Sequence, residues 1–177
     1  MKILIFAAHP DDEVLGCGGT IARLSKEGCE VFIAILGEGI TSRFIHREEA
    51  NMELITELHN RSKEVAELLG GKDLFMHSLP DNRFDTVPLL NIVKIIETLI
   101  EKLKPSVIYT HFAGDLNIDH RITHSAVLTA CRPTPESSLR RIYAFETVSS
   151  TEWMFGQNSQ KFAPQRYVDI TQTIDAK

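Results

Sequence analysis

Long apolar runs, clustered basic residues and paired cysteines are all missing from the 177-residue sequence. A membrane-spanning helix needs about 20 consecutive apolar residues, and no segment supplies them. The apolar run at residues 2–7 is too short for a secretory signal. With 19 basic residues against 24 acidic ones and no basic cluster, a nucleic-acid partner is not expected. The cysteines, Cys17, Cys29 and Cys131, have no CxxC spacing, which indicates reduced thiols and a cytoplasmic protein.

Apolar segments of strand length alternate with segments of helical periodicity along the chain. The length suits one domain with a single core. The alternation predicts an α/β fold, a Rossmann-like three-layer sandwich with a mostly parallel central sheet. Strands are expected at residues 2–7, 30–36, 74–77, 106–110 and 141–147, with a short final strand at 165–170. Helices are expected at residues 14–26, 47–69, 89–103 and 119–131.

Three glycines near the start of the first helix suggest a dinucleotide-binding fingerprint, but the pattern fails. After Gly16 and Gly18, the GxGxxG motif requires a third glycine where Ile21 stands. The glycines also follow an acidic segment instead of coming directly after the strand. The topology therefore allows a nucleotide-binding fold, but the chemistry does not support one.

A histidine and two aspartates, His9, Asp11 and Asp12, come directly after the first predicted strand. In open α/β sheets, ligands bind just beyond the carboxyl ends of the strands. His9 and Asp12 are three residues apart at the start of a helix, so both side chains can face one point. Imidazole and carboxylate are ligands expected for Zn²⁺. The alternative is that Asp11 or Asp12 caps the helix and His9 is an ordinary surface residue.

A second group of this kind, residues 115–121 (DLNIDHR), follows the strand predicted at 106–110. If the two strands are parallel, His120 lies at the same edge of the sheet as His9 and Asp12. Three protein ligands would leave one tetrahedral position open for water, as in catalytic zinc sites. The alternative for His120 is a hydrogen bond to Asp119 or to the backbone at the helix start.

Together, the strings AHPDDE and DLNIDHR resemble the motifs of the PIG-L/LmbE-like family of zinc-dependent N-acetylglucosaminyl deacetylases. The resemblance covers nearly the whole chain and implies one domain, residues 1–177, without the family's usual C-terminal helix. It implies that His9, Asp12 and His120 hold Zn²⁺ or another divalent ion, and that Asp11 is the general base. The implied reaction removes the acetyl group from an N-acetylated amino sugar, a small-molecule substrate. No membrane partner is implied, and a homo-oligomer is left open.

Asn117 departs from the family pattern, because many members carry a histidine there that is thought to stabilise the oxyanion. An amide can donate a hydrogen bond to the tetrahedral intermediate but brings no positive charge. His111 could take over this task, and Asp119 could orient one of these groups. The alternative for Asn117 is a loop residue in an Asx-type turn.

Three further residues are candidates for substrate binding. Arg43 follows the second strand and matches a substrate-contacting arginine of the family. Asp81 follows the third strand and could bind sugar hydroxyls, while Trp153 could contact a sugar ring from a loop after the fifth strand. The alternatives are a solvated arginine, a turn, and a tryptophan in the core or at a subunit contact. We also expect Arg121 to pair with Asp11 or Asp115.

Two other functions remain open on the sequence alone. One is a nucleotide- or sugar-binding module that has kept the fold but lost catalytic strength, which Asn117 suggests. The other is a zinc amidohydrolase that acts on an amide outside the sugar class.

Overall fold

A five-stranded sheet with all strands parallel forms the centre of the computed structural model, which describes residues 1–154 and 161–177. The strands are β1 (Lys2–Ala7), β2 (Glu30–Gly37), β3 (Asp73–Leu79), β4 (Val107–His111) and β5 (Arg141–Phe145). They lie in the order β3-β2-β1-β4-β5, so the strand order reverses between β1 and β4. Ligands bind at such a reversal, beyond the carboxyl ends of the strands.

Two pairs of helices cover the two faces of the sheet, which confirms the predicted three-layer α/β fold. Residues Ile3 and Ile5 of β1 pack with α1 (Asp12–Lys26) and α2 (Met52–Leu68). The alternate residues Leu4 and Phe6 pack with α3 (Leu89–Leu103) and α4 (Ile118–Ala130). The central strands are therefore apolar on both faces, as expected for a parallel sheet covered by helices.

The second helix is shorter than the sequence predicts. Residues Arg47–Glu49 form a separate 3-10 turn, and α2 begins only at Met52. The Asn51 side chain accepts a hydrogen bond from the backbone N–H of Glu53 and so caps the helix. Asparagine is favoured at this position because it satisfies an amide that the helix itself leaves unpaired.

The prediction of a short final strand at residues 165–170 is wrong, because the structure has no strand there. The segment instead lies along α1. Arg23 donates to the backbone carbonyl of Asp169, and the Thr173 hydroxyl donates to the carbonyl of Gly19. These contacts give the segment hydrogen-bond partners without a neighbouring strand. The alternation of apolar and polar residues in the sequence cannot reveal such a partner.

Small residues let α1 pack closely on its neighbours. A methyl group added at Gly16 would lie 2.2 Å from Cδ2 of Phe145, at the end of β5. At Gly19 it would lie 2.7 Å from Cδ1 of Ile170. These glycines therefore serve helix packing. Within the described ranges, none of the helices has the length and apolar character needed to cross a membrane.

Candidate metal centre

A cleft of about 800 Å³ lies at the carboxyl edge of the sheet. It is lined by residues that follow all five strands, among them His9, Ser42, Asp81, Asn117 and Ser150. The parallel arrangement brings these distant loops together, because every strand ends at the same edge.

The first motif forms a tight turn between β1 and α1. Asp11 has a φ of 110°, a left-handed conformation that is uncommon for a residue with a side chain. The Glu13 carboxylate accepts the backbone N–H of Asp11 at 3.1 Å, and Asp12 Oδ2 accepts that of His9 at 2.8 Å. The turn thus leaves the exposed Asp11 in the cleft and the buried Asp12 beside His9.

Three rings surround a single oxygen of Asp12. Oδ2 lies 3.3 Å from His9 Nδ1, 3.1 Å from His120 Nε2 and 3.5 Å from His111 Nε2. Burial alone would raise the pKa of Asp12, but His111, His120 and His9 hold it well below its usual range. The carboxylate is therefore ionised at neutral pH.

The donor atoms of His9, Asp12 and His120 lie within 4.8 Å of one another, close enough to share one cation. His120 is buried, and its Nε2, which faces Asp12, has no well-directed hydrogen-bond partner among the described residues. A buried polar atom without a partner is costly, so it calls for a ligand. Two imidazoles and a carboxylate are a donor set that divalent zinc accepts. The residues present thus fit a metal ion.

The negative charge of the carboxylates around His9 and His120 also favours a bound cation. Burial alone would lower the pKa of His9, but contacts with Asp119 and Asp12 raise it to about 10. The pKa of His120 is shifted in the same way. Burial would lower it, but contacts with Asp115 and Asp12 raise it to about 9. The pKa values of both rings are raised because carboxylates surround them, and a metal ion can neutralise the same carboxylates.

Further carboxylates bind the far sides of the two rings. Asp119 Oδ2 lies 3.0 Å from His9 Nε2, and its Oδ1 accepts the Phe84 N–H at 3.0 Å. Asp119 is fully buried and reaches the cleft through His9. Asp115 Oδ1 lies 3.1 Å from His120 Nδ1. Such carboxylates fix the orientation of metal-binding histidines and raise their basicity.

Asp115 is itself held by hydroxyl groups from the loop after β5. Ser150 and Thr151 both donate to its carboxylate, as does the backbone N–H of Asn117. Burial opposes the charge on Asp115, but the contact with His120 and the hydrogen bonds from Ser150 and Thr151 lower its pKa to about 2. Arg121, expected to pair with a carboxylate, instead donates to the backbone carbonyl oxygens of Asp115 and Leu116.

His111 is fully buried, and both of its ring nitrogens face protein groups. Nε2 accepts the Ala8 N–H at 2.9 Å, so the proton is on Nδ1, 3.2 Å from the Thr147 hydroxyl. Burial lowers the pKa of His111 to about 3. The ring stacks on His120 with the centroids 3.9 Å apart. The His111 ring therefore packs against the candidate ligand His120, and neither of its own nitrogens is open to the cleft.

Asn117 forms the Asx-type cap that the sequence left as the alternative to a role at the oxyanion. Its Oδ1 accepts the Asp119 N–H at 2.8 Å and so begins α4. Its Nδ2 donates to Asn82 Oδ1 at 2.9 Å, and Asn82 donates in turn to Ser42. The side chain still lines the cleft.

The three substrate-binding candidates lie in different surroundings. Arg43 lines the cleft and is exposed, while Asp81 is buried and accepts the N–H and hydroxyl of Ser42. Asp81 Oδ1 also lies 3.4 Å from His9 Nε2. Trp153 is 55% exposed on a 3-10 turn and lies outside the described lining of the cleft.

Sequence reasoning gives no role to Glu13 and names Asp115 only as a possible partner of Arg121. It groups Asn82 with Asp81, as residues that could bind sugar hydroxyls or form a turn. Glu13 belongs to the first motif, and Asp115 begins the second, so their positions beside the ligands were a usable signal. Asn82 has a φ of 52°, a turn conformation that asparagine tolerates, but its contact with Asn117 depends on tertiary structure.

Comparison with known proteins agrees with this geometry. The family model PIG-L, described as GlcNAc-PI de-N-acetylase, matches residues 4–131, which contain both motifs. A probable N-acetyl-alpha-D-glucosaminyl L-malate deacetylase 2 of Bacillus cereus is 28% identical over 178 aligned positions. That alignment covers 99% of this chain and 78% of the relative.

Two solved structures show the same fold. The N,N'-diacetylchitobiose deacetylase of Pyrococcus horikoshii gives a TM-score of 0.65 at 26% identity, over 77% of this chain and 52% of that one. GalB, a 4-carboxy-2-hydroxymuconate hydratase of Pseudomonas putida, gives a TM-score of 0.77 at 20% identity. That match covers 99% of this chain and 75% of GalB. The second likeness concerns the fold alone, since one fold can carry several activities. Because the family match spans most of its length, this chain belongs to the PIG-L family.

Proposed function

We propose that the protein is a zinc-dependent hydrolase that removes the acetyl group from an N-acetylated amino sugar or a conjugate of one. The observation that carries this proposal is the meeting of His9, Asp12 and His120 on the floor of an open cleft. The names of the relatives, which are sugar N-deacetylases, support the same reaction class.

His9, Asp12 and His120 would hold the ion. When bound, zinc polarises the acetyl carbonyl and lowers the pKa of a water molecule toward neutrality. The carboxylates of Asp119 and Asp115 keep the two rings turned toward Asp12, so they act as positioning residues.

Asp11 is the proposed proton carrier. It is exposed in the cleft and adjacent to Asp12, while its own peptide is fixed by Glu13. Asp11 takes a proton from the attacking water as the oxygen adds to the acetyl carbon. The C–N bond then breaks, acetate is formed, and Asp11 passes the proton to the leaving amine.

The rim of the cleft would hold the sugar. Arg43 and Ser42 lie on the β2 side, and Asn82 and Asn117 join the loops after β3 and β4. These groups offer hydrogen-bond donors and acceptors for hydroxyl groups, which suits a carbohydrate. Asp81 faces His9 and Ser42, so it contributes to the sugar site through Ser42.

The test is release of amine from N-acetylglucosamine and its glycosides by protein loaded with a stoichiometric amount of zinc. We expect one primary amine and one acetate for each amide cleaved, and no turnover after chelation. Binding of sugar without acetate release would instead favour a module that has lost catalysis. Turnover of simple N-acetyl amides alone would favour an amidohydrolase outside the sugar class.

A further inference from the structure

Apolar side chains reach into the cleft beside the candidate catalytic groups. The lining includes Leu15, Ile40, Leu58, Leu116 and Ile118. Leu15 remains 36% exposed and Leu116 48% exposed, so each still presents apolar surface to a ligand. Exposed apolar surface in a cleft is typical of a binding site.

The two exposed leucines lie next to the proposed chemistry. The backbone N–H of Leu15 donates to the carbonyl oxygen of Asp11, one helical turn earlier, and Leu116 directly precedes Asn117. Both follow neighbouring strands, β1 and β4. In the loop after β5, Val148 is 58% exposed and stands between two cleft-lining residues, Thr147 and Ser149.

Polar groups that suit a sugar line the cleft beyond β2 and β3. Ser42 and Arg43 follow β2, and Asp81 and Asn82 follow β3. The candidate metal ligands follow β1 and β4, the same strands as the two leucines. A sugar that binds beside β2 and β3 and places its acetamide at these ligands would bring a neighbouring substituent close to Leu15 and Leu116.

Charge in the cleft opposes an anionic substituent. Asp11, Asp12 and Asp81 line it, whereas Arg43 is the one arginine or lysine among its described lining residues. A single bound divalent cation would offset part of this negative charge but would be occupied by the acetyl group. A carboxylate on the substrate could pair only with Arg43, which follows β2 and is already used by the proposed sugar site.

We propose that the substrate carries a neutral, apolar aglycone, which packs against Leu15 and Leu116. This inference rests on the proposed deacetylase function and adds the class of conjugate. It sets this chain apart from its Bacillus cereus relative, whose name specifies a malate conjugate. Burying about 40 Å² of leucine side chain, part of what is exposed, corresponds to roughly a fivefold gain in kcat/KM at about 25 cal/mol per Å².

The experiment compares three substrates with the zinc-loaded, full chain: N-acetylglucosamine, its hexyl glycoside and its malyl glycoside, both with the same anomeric configuration. We expect kcat/KM for the hexyl glycoside to exceed that for the malyl glycoside at least tenfold. Leu15→Gln and Leu116→Asn should each lower the ratio of hexyl glycoside to free sugar about fivefold. The matched control is Leu68→Gln, because Leu68 is 73% exposed on α2 and outside the described lining of the cleft.

A second measurement does not depend on turnover. Hexyl glucoside, which lacks the acetamide, should inhibit competitively at lower concentration than glucose, and Leu116→Asn should weaken that inhibition. Equal or better turnover of the malyl glycoside, or an unchanged ratio in both leucine variants, would overturn the inference while leaving the deacetylase function standing. Release of amine from none of the three substrates would overturn the proposed function itself.

Discussion

The carboxylate oxygen Oδ2 of Asp12 lies 3.1 Å from Nε2 of His120, although the two residues come from loops after different strands. The His120 nitrogen is buried without a well-directed hydrogen bond. Proximity without a directed bond is the arrangement that a bound cation would complete.

Replacing His120 by Gln should therefore remove the metal. We expect metal content to fall at least tenfold and kcat/KM with it, because one of three ligands and its orientation are lost. Metal analysis after dialysis against a weak chelator measures this. His46→Gln is the control, since His46 is exposed and precedes a surface turn. Full metal content in His120→Gln would contradict the ligand assignment.

Asp11→Asn should separate catalysis from metal binding. The amide keeps the shape of the side chain but takes up no proton, so we expect kcat to fall by about 10²–10⁴. Metal content should stay near that of the wild type, because Asp12 and the two histidines are intact. Asp85→Asn serves as the control, because Asp85 is exposed on the 3-10 turn Phe84–Thr86. Loss of the metal would make Asp11 a ligand instead of a base.

We expect Glu13 to affect kcat indirectly, by holding Asp11 in position. Its buried carboxylate accepts the Asp11 N–H and stabilises the left-handed turn. We expect Glu13→Gln to retain activity within about threefold, since an amide oxygen also accepts. We expect Glu13→Ala to lower kcat about tenfold or more. In an Asp11→Asn background the same change should cost little further activity, because residues that act as a unit are not additive. Additive losses would refute this role.

Asp115→Asn should weaken metal binding without removing a ligand. The carboxylate orients His120 from the far side, and loss of such a partner typically costs 10–100-fold in metal affinity. Competition with a chromophoric chelator gives the affinity. Unfolding by urea, followed in parallel, distinguishes this from a general loss of stability. An unchanged affinity would show that the contact with His120 is incidental.

The ion pair between the buried Glu38 and the exposed Arg47 should make stability depend on pH. Burial opposes the charge on Glu38, but hydrogen bonds from Arg47 and Thr41 lower its pKa below the usual 4.5. A carboxyl group whose pKa is lower in the folded state stabilises the fold above its unfolded pKa. That contribution disappears as the pH falls through the folded pKa. The difference in free energy of unfolding between wild type and Glu38→Gln should therefore be constant at pH 6–7 and shrink below about pH 4.5. A difference that persists unchanged to low pH would exclude this ionic contribution.

The sheet and the meeting of both motifs follow from local patterns. Apolar runs such as residues 2–7 mark buried strands, and polar residues directly after them must lie at one edge if the strands are parallel. The same patterns predict that His9, Asp12 and His120 lie together, and their donor atoms do lie within 4.8 Å of one another. Their assignment as ligands remains a prediction that the experiments above test.

Other features depend on contacts that no local pattern encodes. Asn117 could be recognised as a helix cap or as a catalytic donor, and its hydrogen bond to Asn82 joins loops that only the fold brings together. His111 ends a strand, but the direction of its ring depends on Ala8 and Thr147. The segment at 165–170 has the residue types of a strand, yet its partner is the surface of α1.

A row of three aromatic rings connects the contact between α1 and β5 to a candidate metal ligand. Gly16 leaves room for Phe145, whose ring centroid lies 4.7 Å from that of His111, which in turn stacks on His120. A bulkier residue in the helix would push this row and tilt the imidazole at its end. The absence of a side chain at Gly16 thus leaves room for the row of rings that ends at His120.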